Sequence, residues 1–218
     1  LLPSVAFFAL PNNATGTLWP LAVVHDLAAR RPDMIVVADE AYVDYASASS
    51  LAMVPTLPNL VVLRTLSKIG LAGARIGVAI AHPAVAATLE KVRPPYNLSA
   101  LDQAAACWFL EEAGPWVRAQ TQAVVLERAR LTAALRRLPG LEVFPSEANL
   151  VLVRVGVPGD GRATRVWQHL AERGVLVRNF DRGAAAGAPL AGCLRITVGT
   201  TGDGDRVLAA LRDAPAQA

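Results

Sequence analysis

At 218 residues, 53% of them apolar, the chain is long enough for one large domain or two small ones with a well-filled core, which excludes a disordered protein. The net charge of +3 comes without a long run of one sign, and Arg30-Arg31 and Arg136-Arg137 read as solvated helix ends, so nucleic acid is not an expected partner. Arg75, His82-Pro83 and other polar residues interrupt the apolar stretches before the ~18 residues that a membrane helix needs, so no membrane span is expected.

The first residues, LLPSVAFFAL, lack a start methionine, a basic leader and a small-residue cleavage site. They read as a strand whose upstream chain lies outside this sequence, so a fragment is expected. After the polar loop PNNATGT, Pro20 suits a first helical turn, and an apolar-periodic helix is predicted up to about Arg30. MIVVAD, LVVLRT and RIGVAIA follow as strands, and such near-continuous apolar runs imply cover on both faces of a largely parallel sheet. From Leu101 to Leu138 the pattern is helical with a break near Gly114-Pro115, and Val117, Val124, Leu131 and Leu138 mark one buried face. The tail reads as strand LEVF, strand NLVLVRV, a helix over Ala163 to Arg173, strands VLVRN and CLRITV, and a helix to about Arg212. The segment RGAAAGAPLAG is a small-residue loop. Fold class is therefore α/β, with residues 1–115 and 116–218 as the two expected domains, the second smaller.

In open α/β sheets, ligands sit outside the carboxyl ends of the strands. Three polar clusters fall there: Asn12 and Asn13, then Asp39, Glu40 and Tyr42, then Thr65, Ser67 and Lys68. If these strands run parallel, an amide, carboxylates, a phenol, hydroxyls and an amine share one rim. Each group has a bland alternative. Asn-Asn before Thr-Gly makes an ordinary turn, Asp39-Glu40 charges a strand end, and Lys68 can snorkel to water. A desolvated lysine amine can instead act as a nucleophile or form a Schiff base with a carbonyl cofactor. Arg75 reads as a routine surface arginine or, because it opens a strand expected to be buried, as a charge that is costly when unpaired. Arg178 and Arg195 lie in neighbouring apolar strands. Either alone reads equally as an outward-facing strand arginine; pointing inward, the two would need an anion, which guanidinium groups bind through paired hydrogen bonds.

Cys107 and Cys193 are far apart and lack metal-ligand spacing, so they read as reduced core thiols of a cytosolic protein. His25, His82 and His169 have no partners at metal spacing either, and no metal site is expected. No Gly-x-Ser-x-Gly elbow or nucleotide-type phosphate loop occurs.

Taken in order, LPNNATG, VVADEAYVDYA, LRTLSKIGLAGARIG, GVLVRNF and CLRITVGT resemble the fold-type-I pyridoxal-phosphate aminotransferases, most closely the histidinol-phosphate branch. The resemblance covers essentially the whole chain. It implies the C-terminal part of that fold: part of the large cofactor domain, then a small α/β domain. It further implies pyridoxal 5'-phosphate bound covalently to Lys68, which also moves the substrate proton, with Asp39 on the pyridine nitrogen and Asn13 and Tyr42 on the ring's 3-oxygen. Thr65, Ser67 and Arg75 would hold the cofactor phosphate, Arg195 a substrate carboxylate and Arg178 the phosphate of histidinol phosphate. The implied reaction exchanges an amino group between L-histidinol phosphate and 2-oxoglutarate, in a cytoplasmic homodimer of histidine biosynthesis. Ala14 stands where the family has proline, and the loop from Asn179 to Leu194 is somewhat long. The family's upstream backbone amides for the phosphate, its ring-stacking aromatic and its cross-dimer tyrosine have no counterpart in this sequence, so impaired catalysis is expected of the chain as it stands. An aromatic amino acid aminotransferase, a phosphoamino-acid decarboxylase and a cofactor-binding sensor domain of a transcription regulator remain open alternatives.

Overall fold

The computed structural model describes residues 3–183 and 187–214. The small-residue loop read from the sequence falls partly outside these residues, at 184–186. Two units emerge, one of residues 1–12 and 17–121, the other of 13–16 and 122–218.

In the first unit the β-branched runs form β1 (Val5–Ala9), β2 (Ile35–Asp39) and β3 (Leu60–Thr65), and these three are parallel neighbours. β4 (Gly77–Ala81) completes the order β1-β2-β3-β4 and runs antiparallel to β3, so the sheet is mainly parallel with one reversed edge. Helix α1 (Leu21–Arg30) starts directly after Pro20, which stands at the cap position. It packs Val24 and Ala28 onto one sheet face, where Ala38, Leu60 and Val62 form the core with Leu10.

Alternation sends Phe7, Val37 and Leu63 to the opposite face. There α2 (Pro83–Glu90) borders a cleft of about 560 Å³ lined by those residues with Val5, Ile35 and Val61. Phe7 is 72% exposed while Val37 and Val61 on the same face are 6% and 4% exposed, so among the described residues the expected cover on the second face is partial. Helix α2 was not foreseen. Its start carries local signals, Pro83 in the first turn and the His82 ring nitrogen accepting from the amide of Ala84 at 3.3 Å. The break near Gly114 separates α3 (Ala100–Glu112) from α4 (Gly114–Leu135), which runs on into the second unit.

The second unit is an antiparallel sheet in the order β5-β6-β8-β7, made of Leu141–Val143, Leu150–Val155, Cys193–Thr197 and Arg178–Asn179 respectively. Helices α5 (Arg162–Glu172) and α6 (Thr201–Arg212) pack Val166, Leu170, Leu208 and Leu211 against Val151, Val153 and Ile196. The strand read over VLVRN shrinks to two residues, because only Arg178 and Asn179 pair with β8. Cys193 is buried as expected. Cys107 is exposed, because it falls on a face of α3 that the described residues leave uncovered.

Candidate active site

The parallel register places the strand ends of the first unit side by side: Ala9 pairs with Asp39, and Asp39 with Leu63. Because side chains alternate, Asp39 and Thr65 point to the face that carries Phe7 and Leu63. Asp39 is locked locally. Its Oδ1 accepts from the amide of Ala41 at 3.1 Å, and its other oxygen has no protein partner among the described residues.

After Thr65 the chain enters a loop that returns as β4, with Thr65 opposite Gly77. The Thr65 hydroxyl caps the loop's first turn. It accepts from the amide of Ser67 at 3.1 Å and donates to the carbonyl of Ile76 at 3.0 Å. A 3-10 turn over Leu66–Lys68 follows, and beneath it Leu66 and Ile76 bury themselves with Ala106 of α3. Lys68 therefore stands at the end of a turn braced from both sides, its side chain exposed and its Nζ 5.2 Å from the centre of the Tyr42 ring. Tyr42 precedes a second 3-10 turn, Val43–Tyr45, whose Tyr45 hydroxyl donates to the carbonyl of Lys68 at 2.5 Å. Sequence reading missed Tyr45. Its signal was its place three residues after Tyr42, one 3-10 turn away.

Arg75 departs from expectation. The strand starts at Gly77, and Arg75 lies outside it, exposed, in the left-handed region at φ 55°, its Nη1 donating to the carbonyl of Ala72 at 3.3 Å. Its charge is solvated, so the argument from a costly buried charge does not hold. A non-glycine residue held there costs about 1–2 kcal/mol, and such strain gathers at functional sites.

In the second unit Arg178 and Arg195 face each other directly across β7 and β8. Arg195 pairs with Leu152, and the neighbouring Ile196 with Val151 of the helical core, so both arginines lie on the sheet face away from that core rather than inward. Arg178 is exposed and Arg195 half-buried, and their guanidinium groups lie 5.8 and 6.0 Å from the Phe180 ring. Arg195 donates from Nη1 to Oδ1 of Asn13, while its buried Nε has no partner among the described residues. Asn13 thus groups with Arg195 in this unit, and Asp39, Tyr42, Thr65, Ser67, Lys68 and Arg75 group in the other. The loop that carries Asn13 turns at Gly16, at φ 75°, where an added Cβ would come within 2.7 Å of Ser146 Cβ. Among the described residues no cluster of three potential metal ligands occurs, and no helix is long and apolar enough to cross a membrane.

Residues 3–211 match the family Aminotransferase class I and II. A histidinol-phosphate aminotransferase 2 of Bordetella parapertussis is 44% identical over 211 residues, which cover 97% of this chain and 56% of that protein. A histidinol-phosphate aminotransferase of Acidovorax sp. is 43% identical over 217 residues, covering 96% and 56%. The chain therefore spans little more than half the length of these relatives. Among solved structures, a histidinol-phosphate aminotransferase of Sinorhizobium meliloti in complex with pyridoxal-5'-phosphate superposes with a TM-score of 0.79 at 28% identity, over 96% of this chain and 56% of that one. A decarboxylase of Sulfurospirillum multivorans does so with a TM-score of 0.82 at 25% identity, over 96% and 61%.

Proposed function

We propose that this chain, which belongs to the class I and II aminotransferase family, carries the lysine-bearing part of a pyridoxal-phosphate enzyme. The reaction is amino exchange between L-histidinol phosphate and 2-oxoglutarate, giving imidazole acetol phosphate and L-glutamate. The observation that carries this reading is Lys68, held on a capped turn with its amine at the Tyr42 ring, one strand over from a carboxylate with an open oxygen. The names of the relatives support histidinol phosphate as the amino donor, and 2-oxoglutarate follows from the family resemblance.

When bound, pyridoxal 5'-phosphate supplies a carbonyl that captures primary amines and a ring that accepts the electrons of a carbanion. The donor set fits it: an accessible amine, a fixed carboxylate, a phenol, a free serine hydroxyl and an exposed guanidinium. Asp39 holds a proton on the pyridine nitrogen. Tyr42 donates to the ring's 3-oxygen, and Asn13 is assigned the same role. Lys68 would hold the cofactor and, once released from it, would serve as the base that moves the substrate Cα proton. Ser67 and Arg75 bind the phosphate. The proton of Thr65 is directed at Ile76, so Thr65 serves the phosphate mainly by holding Ser67 in place. In the second unit Arg195 is assigned the substrate carboxylate and Arg178 the phosphate of the amino donor. A cytoplasmic homodimer belongs to the same reading, on the strength of the family resemblance, and light scattering of the full-length protein is expected to give the dimer mass.

Borohydride reduction of the full-length protein with pyridoxal phosphate is expected to leave a pyridoxyl group on Lys68, found by peptide mass. Transamination that persists in Lys68→Ala would sink the proposal. The likeness to decarboxylases, among them an L-threonine-O-3-phosphate decarboxylase of Porphyromonas gingivalis, favours a second reading, decarboxylation of a phosphorylated amino acid. Carbon dioxide release from phosphothreonine without amino transfer would put it first.

A further inference from the structure

We propose that Tyr45 is a positioning residue for the amine of Lys68, an inference that rests on the reading of Lys68 given above. A lysine amine rides on four rotatable carbons, so where it can reach is set by how firmly its own Cα is held. Two side-chain bonds hold it here, beside the turn's own backbone bond from the Ile69 amide to the Leu66 carbonyl at 3.3 Å. At the start of the Leu66–Lys68 turn, Thr65 accepts from Ser67. At its end, the buried Tyr45 donates its phenol proton to the Lys68 carbonyl at 2.5 Å.

The same short segment supplies both contacts to the lysine. In a 3-10 turn, residues three apart lie above one another. Tyr42 and Tyr45 therefore present their rings on one side, the first against Nζ and the second against the carbonyl. Without the Tyr45 hydroxyl, the peptide after Lys68 loses its outer restraint and the amine sweeps a wider volume, spending less time where Tyr42 and Asp39 can serve it. A purely structural hydrogen bond would stabilise the chain but would not favour one lysine's chemistry over another's.

The chain provides its own reference, because its only other lysine is the exposed Lys91. Full-length protein, freed of cofactor, is exposed briefly to pyridoxal phosphate and reduced with borohydride, and the pyridoxyl peptides of Lys68 and Lys91 are quantified. Tyr45→Phe is expected to slow modification of Lys68 about fivefold to tenfold, the effect of one hydrogen bond, with Lys91 unchanged. Tyr45→His, which returns a ring donor, is expected to recover part of the rate. Equal Lys68 to Lys91 ratios in the parent and Tyr45→Phe overturn the proposal, as does a loss shared equally by the Phe and His variants or by both lysines. If the parent leaves Lys68 unmodified while Lys91 reacts, the reading of Lys68 as the cofactor lysine falls, and the role of Tyr45 falls with it.

Discussion

Arg64 lays its guanidinium on the carboxylate of Glu40, with Nη2 3.0 Å and Nε 3.3 Å from Oε2, and the two come from the ends of adjacent parallel strands. Each follows or precedes a site residue by one position: Glu40 comes after Asp39, and Arg64 before Thr65. Alternation sends the ion pair to one face of the sheet and the site residues to the other. The pair thus ties the two strand ends together beneath the site. Glu40 is 1% exposed and also accepts from Ser49 Oγ at 2.8 Å and from the amide of Ser50.

Removing one member of this pair leaves its partners without a carboxylate in a closed setting. Glu40→Ala is expected to destabilise the full-length protein by about 3 kcal/mol, read from urea unfolding. Replacing both partners, Glu40→Met with Arg64→Leu, is expected to recover part of the loss, since an apolar pair of similar volume substitutes well for a buried ion pair. A double variant no better than Glu40→Ala alone would argue against the pair as the cause.

Asn59 closes the end of α1. Its Nδ2 donates to the carbonyls of Ala28, Arg31 and Met34 at 3.0, 2.9 and 2.8 Å, and the residue is 8% exposed. Asn59→Ala takes this donor from the carbonyls of Ala28 and Met34, while the Arg31 carbonyl keeps the amide of Met34, at an expected cost of about 2 kcal/mol in thermal or urea unfolding. Asn59→Asp sets a carboxylate against three carbonyls and is expected to cost more than the alanine.

Arg178 and Arg195 can be separated kinetically despite facing each other. In the full-length enzyme, Arg195→Ala is expected to lower kcat/KM for the 2-oxo acid about a hundredfold, since lysine or alanine cannot reproduce a paired guanidinium contact. Arg178→Ala is expected to weaken chiefly the phosphorylated donor and to spare an unphosphorylated one. Steady-state kinetics with each substrate varied in turn reads the split.

The start of α6 is a reciprocal cap. The Thr200 hydroxyl and amide donate to Asp203 Oδ2 at 2.7 and 3.0 Å, and these bonds hold the carboxyl below the usual aspartate value of 3.8. Ionised Asp203 therefore favours the folded chain. The contribution is fully present above that ordinary value and is lost as acid takes the solution through the lowered one. Asp203→Asn is expected to lower the thermal midpoint at neutral pH, and by progressively less as the pH falls below the ordinary aspartate value.

Local signals were enough for most of this protein. β-branched runs, the seven-residue apolar spacing before Leu138 and the Gly114-Pro115 break marked the strands and helices, because the pleat and the helical turn impose their periods on any sequence that buries one face. Lys68, Asp39 and Tyr42 were legible as strand-end polar residues for the same reason. The tertiary structure alone decided what depends on which segments meet. The β3–β4 turn set Arg75 in solvent instead of a strand, pairing with β8 set Arg178 opposite Arg195, and the register of β2 with β3 brought Glu40 to Arg64. The Tyr45 bond to Lys68 joins residues 23 positions apart, and no periodicity within either segment encodes it.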